Sequence, residues 1–111
     1  MSWGIAIYDL DFIDKKLRRL LADKERVFGP GVITSLYRIG DDGAHGTLPL
    51  RAADERCQYK PAGDMVAGYL NDWWTYDPER PEMKVCMCHD TGQGLHMHFQ
   101  VHPNTIKRGG S

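Results

Sequence analysis

The sequence predicts an α+β fold: a small antiparallel sheet with two main helices packed on one face. Two stretches place apolar residues at helical spacing, several others alternate at strand spacing, and no βαβ rhythm orders them. The chain of 111 residues has room for a single core, so residues 1–111 are read as one domain.

The first helix is expected from Asp11 to Phe28, with Ile13, Leu17, Leu20, Leu21 and Val27 on one stripe. Asp9 or Asp11 can cap its start, and Gly29-Pro30-Gly31 stops it. Gly31 to Ile39 is β-branched and aromatic and reads as a strand. Gly40-Asp41-Asp42-Gly43 then turns into a loop carrying His45, and Leu50 to Tyr59 reads as a second strand bearing Asp54. Pro61 lies near the start of a second helix that runs to about Trp74, with Met65, Val66, Tyr69, Leu70 and Trp73 at helical spacing. Pro78 and Pro81 mark a loop. A hairpin follows: Lys84 to His89, a turn over Asp90 to Gly94, and a return strand from Leu95 to His102. Lys107 to Ser111 is expected to fray.

With 14 basic and 15 acidic residues the formal charge is −1, which leaves no footprint for nucleic acid or an anionic membrane. The one basic cluster, Lys15, Lys16, Arg18 and Arg19, reads as a solvated helix face. Neither a signal peptide nor a membrane span is visible near Met1, so no membrane insertion is expected. Three cysteines, with Cys86-x-Cys88 among them, make a poor disulfide framework and are read as reduced thiols of a chain made in the cytoplasm, Cys86 and Cys88 as buried small hydrophobes. Cys86 and Cys88 share a face while His89 faces away, too few ligands for a structural zinc site. Trp73, Trp74 and Tyr76 read as core rather than as a substrate wall, and Ser35 lacks a nucleophile elbow.

The return strand is the most informative segment. Side chains alternate faces with period two, so His96, His98, Gln100 and His102 share one face and Met97, Phe99 and Val101 the other. Three of the chain's five histidines thus lie within seven residues on one side. Neighbouring imidazoles are natural ligands for a divalent cation. A catalytic zinc site needs three protein ligands and an open fourth position, and His45 and Asp54 can offer the others. Asp54 can equally pair with Arg38, Arg51 or Arg56.

Thr34-Ser35-Leu36-Tyr37-Arg38, His45 followed by Leu50-Arg51-Ala52-Ala53-Asp54, and Leu95-His96-Met97-His98-Phe99 occur in an order that carries a resemblance. From Val32 to Val101 the chain resembles the zinc peptidases that group D-alanyl-D-alanine carboxypeptidases, lysostaphin-type endopeptidases and the hedgehog domain. The resemblance implies a zinc cleft on the sheet face away from the helices, with His45, Asp54 and His98 as ligands. It implies that Arg38 steadies the substrate carbonyl and that His96 serves as general base. Carboxypeptidases of this group carry a carboxylate where this chain has Leu95, which leaves the proton transfer to His96. The implied partner is a peptidoglycan stem peptide or cross-link. The implied setting is a phage lysin made in the host cytoplasm that acts on the wall after release or as a virion component. The other reading is a zinc-binding virion or binding protein of the same fold without catalysis. His102 is read either as orienting substrate or as an exposed strand-end residue. The oligomeric state is not legible in the sequence.

Overall fold

The computed structural model describes residues 2–3, 13–37, 50–90, 92 and 94–109. His45 and Arg38, and the capping candidates Asp9 and Asp11, lie outside the described residues. The elements run β1 (Ser2–Trp3), α1 (Lys15–Phe28), β2 (Val32–Tyr37), β3 (Ala52–Arg56), α2 (Lys60–Trp73), β4 (Trp74–Thr75), β5 (Cys86–Asp90), β6 (Leu95–Gln100) and β7 (Ile106–Lys107).

Helix α1 starts later than the apolar stripe indicated. Its cap is Asp14, whose carboxylate accepts from the N–H groups of Lys16 at 2.7 Å and Leu17 at 3.4 Å. Ile13 therefore precedes the helix and makes an isolated parallel bridge to Leu50. The stop is as expected: Gly29, at φ 90°, gives its N–H to the carbonyl of Glu25. Helix α2 carries Pro61 in its first turn, where a missing N–H costs nothing.

The main sheet has the strand order β1-β2-β3-β6-β5 and is antiparallel except for the parallel β1–β2 pair. β3 pairs with β6 through Ala52↔Gln100, Ala53↔Phe99, Asp54↔His98, Glu55↔Met97 and Arg56↔His96. The β5–β6 hairpin pairs Cys86↔Phe99, Met87↔His98, Cys88↔Met97 and His89↔His96. Its turn is closed by the Asp90 carboxylate, which accepts from the N–H groups of Gly92 at 2.8 Å and Gly94 at 3.2 Å. Between β2 and β3 the register shifts, with Ile33 opposite Glu55 and Ser35 opposite Asp54. Thr34 is the extra residue, a bulge that turns Ser35 to the face of Asp54 although Ile33 lies in the core.

Both helices pack on the face bearing Ile33, Ala53, Cys86, Met97 and Phe99, and with Leu17, Leu20, Leu21, Val66 and Leu70 these form one core. Lys24 and Glu55 meet inside it as a buried ion pair. Trp74 and Tyr76 are buried in the core, whereas Trp73 is partly exposed. The tail departs from expectation. Ile106 and Lys107 pair with Thr75 and Trp74 in a second, two-stranded sheet, so the chain is ordered at Lys107 rather than frayed. Among the described residues no helix is long and apolar enough to cross a membrane.

Candidate metal centre

Residues directly opposite one another in an antiparallel ladder project to the same side. The registers of β3, β6 and β5 therefore bring Asp54, His96, His98, Gln100 and His89 to one face, opposite the helices. Nδ1 of His98 lies 3.0 Å from Oδ1 of Asp54, and Nε2 of His96 lies 4.0 Å from the same oxygen. The predicted ligands Asp54 and His98 are thus brought together, with His96 beside them.

His89 is the member that the sequence reading missed. Its ring stands nearly perpendicular to that of His96, with centroids 4.7 Å apart, and lies 6.2 Å from that of His98. Burial first, and then the proximity of His96 and His98, holds its pKa below the usual imidazole range, against the opposing pull of Asp54. The signal that could have found it is the pairing across the Asp90–Gly94 turn, which sets His89 opposite His96.

The hydrogen bonds around His98 determine which ring nitrogen carries hydrogen. The Gln100 amide donates through Nε2 to the Lys84 carbonyl at 2.7 Å, so its Oε1 is the atom facing Nε2 of His98 at 3.1 Å. An amide oxygen only accepts, so Nε2 of His98 carries a hydrogen. In a neutral ring Nδ1 then presents a lone pair to the Asp54 carboxylate, acceptor against acceptor. Either a second proton or a cation must lie between them. For His96, Nδ1 lies 3.4 Å from the Gly94 carbonyl. A neutral ring with its hydrogen there keeps Nε2 as the basic atom, turned toward Asp54.

A zinc ion bound by one oxygen and one nitrogen at about 2.0–2.1 Å holds tetrahedral neighbours roughly 3.3 Å apart. The 3.0 Å separation of Asp54 and His98 fits two positions of such a shell. The imidazole N–H of His98 engaged by Gln100 is the outer partner that ligating histidines ordinarily have. Among the described residues no group of three His, Cys, Asp or Glu side chains converges on one metal position.

Of the arginines weighed for Asp54, Arg51 instead has its Nε 3.4 Å from Oδ2 of Asp14, and Arg56 is exposed. His102 lies past the end of β6. Its Nδ1 accepts from the N–H of Asn104 at 3.0 Å, and its ring packs on Tyr76 at 5.5 Å. It therefore organises the C-terminal turn. A cavity of about 720 Å³ lies on the helix side of the sheet, lined by Lys24, Phe28, Glu55, Cys57, Tyr59 and Met97 among others. Glu55 and Met97 lie on the face away from the histidines, so the cavity and the imidazole cluster are separate.

No family model, no curated protein and no solved structure matches this chain.

Proposed function

We propose that the chain is a metal-dependent hydrolase, with Asp54 and His98, together with His45, holding one zinc ion. More particularly, we read it as a peptidase of peptidoglycan stem peptides or cross-links, of the kind that phages encode as lysins. One observation carries the proposal: His98 is fixed by Gln100 so that its other nitrogen meets the Asp54 carboxylate at 3.0 Å, an arrangement a divalent cation would satisfy. The motif order noted in the sequence supplies the substrate class.

Bound there, zinc would supply Lewis acidity and a water acidified to a pKa of about 7. The protein's own groups do the rest. Nε2 of His96 takes a proton from the attacking water and returns it to the leaving amine. Arg38 steadies the oxygen that becomes negative. His89, packed against the ring of His96, limits the orientations that ring can take. Gln100 keeps His98 in the tautomer that can ligate.

Purified protein is expected to hold about one zinc per chain, as a single site requires. His98→Ala loses the metal. His96→Ala keeps it and no longer releases fragments from purified peptidoglycan. Full zinc retention by His98→Ala, measured by elemental analysis, would overturn the ligand assignment. A non-catalytic zinc-binding protein is the second reading, favoured by Leu95 at the position where the carboxypeptidases carry a carboxylate. Zinc-loaded wild type that releases no more fragments than His96→Ala would select it.

A further inference from the structure

Behind the sheet, on the helix side, the sulfurs of Cys57 and Cys88 lie 3.7 Å apart, with one thiol donating to the other. Both residues are partly exposed, whereas Cys86 is buried. Cys57 sits one residue past the last paired position of β3, outside the ladder, and lines the 720 Å³ cavity, which gives a small reagent a way in. Cys88 lies in the edge strand β5, opposite Met97. Gly63 of α2 backs the pair so closely that a Cβ there would overlap both sulfurs. The absent side chain at Gly63 thus leaves the room against the helix that both thiols occupy.

We propose that Cys57 and Cys88 are a modification site at which a low-molecular-weight disulfide converts two thiols into one intramolecular disulfide. The thiolate of Cys57 attacks one sulfur of the reagent, whose S–S bond breaks to release a first thiol. Cys88 then attacks the Cys57 sulfur of the mixed disulfide and expels the second. Two electrons and two protons pass from the protein to the reagent, which leaves as two thiols. An S–S bond of about 2.0 Å requires the sulfurs to approach by roughly 1.7 Å, and Cys57 can supply the movement because the ladder does not hold it. The resulting link ties the end of β3 to β5 across β6, three residues after Asp54 and one before His89. Cys86 stays out of the exchange. It is buried, so no reagent reaches it; burial pushes its thiol up to about 12 and that of Cys88 up to about 11, so access rather than acidity sets the two apart.

This site does not depend on the hydrolase reading. The full chain is incubated with excess glutathione disulfide, denatured in alkylating reagent, and weighed by mass spectrometry. Wild type is expected to lose two hydrogens in mass and to drop from three alkylatable thiols to one, with peptide mapping joining residues 57 and 88. Cys86→Ser forms the same bond, whereas Cys57→Ser and Cys88→Ser accumulate only single glutathione adducts. Three thiols still alkylatable in wild type would overturn the proposal, as would stable adducts without an internal bond, a link to Cys86, or disulfide-linked dimers.

Discussion

Gln100 has the largest effect relative to its chemistry, because one amide decides which nitrogen of His98 is available. Its side chain is buried, and both of its ends are engaged. Gln100→Leu keeps the volume but leaves the N–H of His98 without its acceptor. Zinc affinity is expected to fall about 10–100-fold, measured by competition with a chelator, and unchanged affinity would refute the role. The strand's period of two places Gln100 on the histidine face, but its grip on the Lys84 carbonyl is a tertiary fact with no local signature. The same limit hid His89. Its neighbours Cys86 and Cys88 invited comparison along the strand, whereas its partner His96 is met only across the turn.

At the level of elements, α1 and β3 are joined by a charge pair that hydrophobic patterning cannot foresee. Asp54 and Glu55 are adjacent acids, and composition does not reveal which one turns inward. Glu55 does, and meets Lys24 on the stripe of α1, where Val27 was expected but is exposed. Lys24 also donates to the Gly29 carbonyl at 3.1 Å, tying the helix end to the pair. Glu55→Ala leaves a buried cation unpaired and is expected to cost about 3–5 kcal/mol, whereas Lys24→Met with Glu55→Leu recovers most of the loss. Urea unfolding of the three proteins tests this; a double variant no better than the single one would contradict it. The long elements α1, α2, β5 and β6 were legible because each repeats its period several times. Two-residue strands such as β1, β4 and β7 offer no period to read, and the several aspartates before α1 left the choice of cap open.

Across the whole molecule, the C-terminal segment clamps the end of α2 to α1. The Lys107 ammonium lies 2.8 Å from Asp23 and 5.8 Å from the centre of the Trp74 ring, while Arg108 covers Trp73 at 4.4 Å and gives its N–H to the Trp73 carbonyl at 2.7 Å. Removing residues from Ile106 onward is expected to cost about 2 kcal/mol, from two cation–π contacts and the Lys107–Asp23 ion pair, the exposed Arg108–Asp72 pair adding little. An unchanged melting midpoint would show the clamp to be idle. Asp77 anchors the preceding turn. The backbone N–H of Glu79, aided by Arg80, Asn104 and His102 against the pull of burial, holds its pKa below the usual carboxylate range. A pKa lower in the folded than in the unfolded chain stabilises fully above about pH 4 and is lost as pH falls through the folded value. Asp77→Asn should therefore melt below wild type at neutral pH and converge on it in acid; a gap independent of pH would contradict this.

In β3, β5 and β6, consecutive residues serve opposite sides: Asp54 then Glu55, Met97 then His98, Cys88 then His89. A slip of the β5–β6 hairpin by a single position would bury imidazoles in oil and hand Met97 and Phe99 to water, undoing the polar cluster and the core together. The glycine turn and the Asp90 carboxylate that pins it are therefore guardians against misregistered folding as much as they are connectors.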